Sequence, residues 1–475
     1  MVKRKGKTYL SVLILVLIAI LIFFISRLSI FEKNPPQILM PDVVYTDLKK
    51  PILVHIKDDE SSIKNVQIIL HKDDNTSAMV IADEKISNLK DITLQVALPK
   101  FGYKENVKSF VLEVIAKDSS FWNFFSGNEA RKQIAVLVDN TAPKINIISN
   151  SYQIEQGGAG AVVFKADDAN LDKVYIETNK GKIFKATPYV KEGYYAALIA
   201  WDARDEEFRA FVIATDKAGN ISKERIRYYF VNRKYRVSNI NLTDKFLDGK
   251  IENLANQYAP KDNNLNRYEK FKFVNETLRN SNEKLIHEIT SKVPEEKIDN
   301  FDLNLFLPLK NGMKVADFAD HRYYSYNGQF VSDSYHMGLD LASVAQAPII
   351  SNNAGKVVFA AENGIYGLNL IVYHGFGVYS LYGHCSSKNV DLDEMINKQS
   401  IIGKTGTSGL ALGDHLHFGV LVQGVETRPE QWQDKKWIEN NIYNVLNDGK
   451  KIILGKNYET INFSKNCQRR RYRTS

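Results

Sequence analysis

At 475 residues the chain is too long for one hydrophobic core, so about three domains are expected. Its 44% apolar content is ordinary for a globular protein and excludes a largely disordered chain. The net charge of +8 sits at the two ends, in Lys3, Arg4, Lys5 and Lys7 and in Arg469, Arg470, Arg471 and Arg473, so the near-neutral body offers no basic face for nucleic acid.

The basic tip, 1–7, precedes a segment, 8–30, that reads as a single-pass transmembrane helix. Tyr9 to Ile25 carries no charge and is about the minimum length that spans a bilayer. The positive-inside rule puts the N-terminus in the cytoplasm and the rest of the chain outside the inner (cytoplasmic) membrane. The apolar run is long for a signal peptide and no small-x-small cleavage site follows it, so it reads as an uncleaved anchor.

A mainly β, multidomain architecture is expected beyond the anchor. NVQIILH (65–71), DITLQVAL (91–98), FVLEVIA (110–116) and KQIAVLV (132–138) alternate apolar and polar side chains between turn residues, the pattern of half-buried strands. The region also repeats: DDESSIKNVQI (58–68) is similar to DDANLDKVYI (167–176), and VIAKD (114–118) to VIATD (212–216). Two tandem β-sandwiches follow, 40–140 and 141–233, joined at DNTAPK (139–144). The ATDKAGN run (214–220) resembles the immunoglobulin-like modules of exported bacterial proteins, which implies a spacer. The first copy carries an insertion, SSFWNFFSGN (119–128), where the second has only KAGN (217–220). Its aromatic rings either form an exposed interaction patch or fold back on a neighbour.

At 243–293 the period becomes helical. Leu247, Ile251, Leu254, Ala255 and Tyr258 form one apolar face that ends before Pro260, and Phe271, Val274, Leu278, Leu285 and Ile289 form a second that ends before Pro294. This helical hairpin reads as a connector, with occlusion of the following groove as the alternative. The domain at 303–442 has short apolar strands separated by glycine-bearing turns, as a compact antiparallel sheet requires, and 443–475 forms a basic tail. Of the two cysteines, Cys385 reads as a small buried apolar residue, and nothing requires it to pair with Cys467.

Four polar side chains in this last domain suggest chemistry. His336 and Asp340 lie in SYHMGLD, and His415 and His417 in GDHLHF. Two imidazoles and one carboxylate hold a catalytic zinc with one position left open. On a strand, His415 and His417 project from one face, so one can bind metal while the other moves protons. His384, in LYGH, is the candidate for stabilising an oxyanion.

HMGLD, NGIYGLNLIVYHGFGVYSLYGH and IIGKTGTSGLALGDHLHFGV together resemble the lysostaphin/LytM family of zinc peptidoglycan endopeptidases, over about 308–440. The resemblance implies a β-sheet metallopeptidase domain with an open groove and one Zn2+. It implies His336, Asp340 and His417 as metal ligands, His415 as general base and His384 as stabiliser of the tetrahedral intermediate. Asn369, in YGLN, corresponds to a position lining the substrate groove. The implied partner is peptidoglycan; envelope protein partners are not identified by the sequence. The segment 315–336 matches the family pattern loosely, and His321 within it reads as a surface residue. All four positions of the HxxxD and HxH pairs are filled, which favours an active endopeptidase in wall remodelling over a non-catalytic regulator; carboxypeptidase activity, which the same metal chemistry would serve, stays as an alternative.

Overall fold

The computed structural model describes residues 12–18, 20, 23–24, 31–72, 78–99, 107–261 and 265–455. The basic tip, much of the expected anchor, the arginine cluster and Cys467 lie outside the described residues. Residues 12–18, 20 and 23–24 are helical. Among the described residues, no helix is long and apolar enough to cross a membrane. The chain divides into two compact units: 1–143 with 168–172 and 215–221, and 144–167 with 173–214 and 222–475.

The first unit holds a β-sandwich. A five-stranded sheet, ordered Val43–Thr46, Glu129–Val138, Ser109–Asp118, Ile63–Lys72, Ala78–Leu89, shares one core with a three-stranded sheet, Gln37–Ile38, Ile52–Lys57, Asp91–Val96. The alternation seen in the sequence is the cause. Val66, Ile68 and Leu70 point inward from one sheet and Val54 and Ile56 from the other. The aromatic insertion forms a tight turn at Trp122–Phe125, and Phe124 and Phe125 stand 99% and 68% exposed.

The second repeat also forms two four-stranded sheets, but most of it belongs to the second unit together with the C-terminal domain. It is not a free-standing spacer. Helix Asn444–Ile453 lies on strand Ala159–Asp167, and a Cβ on Gly449 would come within 2.8 Å of Val163, so glycine permits the close approach. Ser151 Oγ donates to the Asn441 carbonyl at 2.7 Å, and the Tyr189 hydroxyl to that of Leu446 at 3.0 Å. Gln423 is 2% exposed; its Nε2 donates to the Lys185 and Leu198 carbonyls, and its Oε1 accepts from the Lys185 N–H.

The helical region is likewise built in. Glu252–Tyr258 ends where Ala259 turns extended ahead of Pro260, and Arg267–Lys272 opens with a capping box between Asn266 and Glu269. A π-turn at Phe273–Leu278 precedes Arg279–Thr290, whose buried positions are Asn282, Ile286 and Thr290. Leu285 and Ile289, expected on the apolar face, therefore fall beside it: Leu285 is exposed and Ile289 half-buried. Leu254, Phe271, Val274 and Ile286 share a core with Ile365, Tyr366, Ile371 and Leu381 of the C-terminal domain. The connector reading is thereby corrected, because these helices complete that core.

The C-terminal domain is an eight-stranded antiparallel sheet. Its order is Met313–Ala316, Leu339–Ala342, Leu416–Val422, Val378–Cys385, Leu368–Tyr373, Gly355–Glu362, Met395–Ile396, with Val425–Thr427 paired to Leu416–Val422. Beside it, Val237–Asn241 runs parallel to Asp320–Tyr326, which forms a hairpin with Gln329–His336.

Gln423→Ala removes three bonds to buried backbone groups and should cost about 2–3 kcal/mol. Urea unfolding followed by tryptophan fluorescence measures this. A change below about 0.5 kcal/mol, the level of an ordinary surface substitution, would show that the second repeat is not integral to the unit.

Candidate metal centre

Strand register assembles the site. Asp340 and His417 are direct cross-strand partners, and Gly383 faces His417 from the opposite neighbour, which brings His384 alongside. His336 ends the strand Gln329–His336, and after the two residues Met337 and Gly338 the next strand begins at Leu339, so His336 and Asp340 meet across a short connection rather than along a helix. Leu416, between the two histidines of HLH, is fully buried on the opposite face. Gly338 is required for space: a Cβ there would lie 2.4 Å from the His417 ring.

Three of the five expected residues converge on one point. His336 Nε2 lies 3.0 Å from Asp340 Oδ1 and 3.0 Å from His417 Nδ1, and His417 Nδ1 lies 2.9 Å from Asp340 Oδ1. Ligands about 2.0–2.1 Å from a tetrahedral zinc stand about 3.3 Å apart, so the spacing is close to that of a first coordination sphere. The His336 Nδ1 meets the Asp317 carbonyl at 2.8 Å, which assigns its proton to Nδ1 and leaves Nε2 a bare lone pair aimed at the cluster. One carboxylate and two imidazole nitrogens suit zinc, and all three residues are at most 8% exposed.

The other two histidines stand at the edge of this cluster. His415 Nε2 is 3.6 Å from Asp340 Oδ2, and its ring centroid is 4.8 Å from that of His384. The Nδ1 of His415 meets the Gly413 carbonyl at 2.8 Å and that of His384 the Ser408 carbonyl at 2.9 Å. Each therefore carries its proton on Nδ1 and presents an unprotonated Nε2. Burial, aided by the neighbouring His417 and His415, lowers the His384 pKa to about 3, and burial lowers that of His417 to about 4. Burial alone would raise the pKa of Asp340, but the His336 and His417 imidazoles outweigh it and hold the carboxyl well below its usual range. A neutral His417 and an ionised Asp340 are protonation states that metal binding needs. His384 must take up a proton before it can donate one, so it enters the chemistry as an acceptor.

A cavity of about 530 Å³ opens onto all five residues. Its far wall is supplied by Leu242, Phe246 and Arg279. Helical periodicity registered the helices, and their place before the domain raised a position across the groove as the alternative, but which residues line it depends on contacts distant in sequence. Likewise, the carbonyls of Asp317, Ser408 and Gly413 that orient the histidines are backbone groups with no sequence signature.

Asn369 is not on the groove wall. It is fully buried at a bulge between Leu368–Tyr373 and Val378–Cys385, where its Nδ2 donates to the Tyr382 carbonyl at 3.1 Å. Its Oδ1 is buried without a hydrogen-bond partner. His321 stacks on Tyr335 and bonds Asp333 at 2.7 Å, apart from the cluster. Cys385 is a buried free thiol whose pKa burial raises to about 12, as its apolar reading requires.

Residues 334–429 match peptidase family M23. The chain is 29% identical over 94 residues to the DD-carboxypeptidase/endopeptidase Mpg of Neisseria meningitidis, covering 20% of this chain and 22% of that protein. It is 31% identical over 88 residues to the peptidoglycan DD-endopeptidase ShyB of Vibrio cholerae, covering 18% and 21%. The chain thus spans about a fifth of the length of these relatives. A crystal structure of an M23 peptidase from Pseudomonas aeruginosa aligns over 58% of this chain and 93% of its own, at 19% identity and a TM-score of 0.34. The catalytic domain of lysostaphin from Staphylococcus simulans aligns over 26% and 92%, at 23% identity and a TM-score of 0.22.

Gly338→Ala should displace the His417 ring and weaken zinc binding by about 10- to 100-fold, as loss of a supporting contact does. Competition with a chromogenic chelator reads this, and unchanged affinity would show that the ring has room to move. Acid should also destabilise the metal-free protein. With folded pKa values of about 3 for His384 and about 4 for His417 against about 6.5 unfolded, the unfolded chain binds more protons in between. Stability contributed by the neutral rings is thus lost as pH falls from about 6.5 towards 4. Urea midpoints should decline over that window, less steeply for His384→Asn, which tolerates the left-handed backbone at φ 62°. A flat profile, or an unchanged slope in the variant, would contradict the assignment.

Proposed function

Because the chain carries a peptidase family M23 domain at its C-terminus, we propose that it is a zinc metalloendopeptidase cleaving peptide cross-links or stem peptides of peptidoglycan. The convergence of His336 Nε2, Asp340 Oδ1 and His417 Nδ1, each within 3.0 Å of the others, carries this reading. The names of the relatives, a DD-carboxypeptidase/endopeptidase and a DD-endopeptidase, support the substrate class. The first of those names also keeps carboxypeptidase activity as the second reading. We place the domain outside the cytoplasmic membrane, tethered through 8–30 with the N-terminus inside, on the strength of the uncharged run and the basic residues before it.

His336, Asp340 and His417 would hold the zinc, which when bound makes water nucleophilic at neutral pH and polarises a peptide carbonyl. The unprotonated Nε2 of His415, beside the cluster, is placed to accept the proton of the attacking water. It then returns that proton to the departing amine. His384 Nε2 could donate to the developing oxyanion only after taking a separate proton from solvent. The cavity between the sheet and the helical wall holds the extended peptide in reach of both rings.

Purified peptidoglycan digested with the full chain should release peptide fragments, and a chelator should stop their release. His415→Ala should abolish release while zinc content stays at one per chain. Full activity in that variant would remove His415 from the mechanism, and a zinc-loaded wild type that releases nothing would favour a regulator. A fragment starting at 300 is unsuitable, because it strips the groove of Leu242, Phe246 and Arg279.

A further inference from the structure

We propose that Glu32, Asp58 and Asp118 of the first β-sandwich bind a calcium ion. The three residues are 6%, 4% and 0% exposed, and each offers a carboxylate oxygen within 4.8 Å of the others. Among the described residues, no lysine, arginine or histidine forms an ion pair with any of them. Three buried negative charges without a counter-charge are mutually repulsive and poorly solvated. A dication resolves both costs at once.

The carboxylates differ in how they are held. Asp58 Oδ1 accepts from the N–H groups of Glu60 and Ser61 at 3.0 and 2.8 Å. Asp118 Oδ1 accepts from those of Ser120 and Asn128 at 3.0 and 2.7 Å, and its Oδ2 from Asn128 Nδ2 at 2.8 Å. These contacts fix two carboxylates in place. Glu32 is the exception: both of its carboxylate oxygens are buried and neither has a hydrogen-bond partner. Buried polar atoms in folded proteins are nearly always satisfied, so a wholly unpartnered carboxylate aimed at two others points to a missing cation. Burial raises the Glu32 pKa, the nearby Ser61 hydroxyl opposes the rise, and the charges of Asp58, Asp118 and Glu60 add to it.

Ligand chemistry selects the ion. The donor set is all oxygen, without imidazole or thiolate, which disfavours zinc. Magnesium keeps most of its water and seldom enters an all-protein cage, whereas calcium accepts several carboxylates in flexible geometry. The second repeat reproduces the scaffold with Asp139, Asp168 and Asp216. Asn220 Nδ2 donates to the Asp139 carbonyl and to Asp216 Oδ2, as Asn128 Nδ2 does to the Glu32 carbonyl and Asp118 Oδ2. There, however, Asp139 Oδ2 is satisfied by Asn170, and the unpartnered carboxylate is peculiar to the first repeat. The consequence is mechanical. An ion at Glu32 ties the residues that follow the expected anchor to the sandwich, reinforcing the Ser120 and Asn128 bonds to the Glu32 carbonyl.

Terbium, a luminescent stand-in for calcium, tests this in the full chain, in calcium-free buffer supplemented with zinc. Trp122, whose N–H bonds Ser120 Oγ, is close enough to sensitise it. Wild type should give a saturable tryptophan-sensitised signal that calcium displaces, and Glu32→Gln should weaken calcium binding at least tenfold. Asp139→Asn should leave that signal in place. Thermal unfolding supplies the folding control. Without calcium, Glu32→Gln should melt no lower than wild type, because it removes a repelled charge; with calcium, only wild type should gain several degrees. Absence of saturable calcium binding in wild type, equal affinity in Glu32→Gln, or loss of the signal in Asp139→Asn alone would each overturn the proposal.

Discussion

The arrangement depends on one electrostatic constraint: three Lewis-basic atoms held within 3.0 Å of one another in a buried pocket. Such a cluster is costly unless a cation occupies its centre. The protein meets the cost before the metal arrives by fixing protonation states. The Asp317 carbonyl holds the proton of His336 away from the cluster, and burial keeps His417 neutral. The sheet fixes positions, because Asp340 and His417 are cross-strand partners whose separation follows from antiparallel register. Gly338 leaves the ring its space. The same logic extends outward to His415 and His384, whose Nδ1 protons are committed to backbone carbonyls so that both Nε2 atoms face the groove as acceptors.

What the sequence made legible was whatever rests on local periodicity. The two-residue spacing of HLH put His415 and His417 on one side of a strand, and the repeated motifs at 58–68 and 167–176 marked a duplicated β module. Distant packing was opaque. Asn369 was expected at the groove only through the family resemblance, and nothing in its local spacing shows that a bulge turns its Nδ2 to the Tyr382 carbonyl. Leu285 and Ile289 continued an apolar pattern by identity, but the buried face beyond the π-turn runs through Asn282, Ile286 and Thr290. Polar Asn282 is inside because its Oδ1 accepts from the Ile365 N–H, a contact no periodicity encodes.

The two repeats differ in what they pack against. The first keeps its own core and an acidic cluster next to the expected anchor. The second shares a unit with the C-terminal domain, through Gln423 and through a helix that Gly449 allows to lie against its sheet. The helices ahead of that domain line the groove as well, so residues far outside the metal motifs shape what the groove admits.

Zinc K-edge X-ray absorption on the zinc-loaded full chain tests the central claim most directly. The account predicts two imidazole nitrogens and oxygen donors at about 2.0–2.2 Å, and no sulfur. A sulfur scatterer at about 2.3 Å would contradict it, because none of His336, Asp340 and His417 carries sulfur.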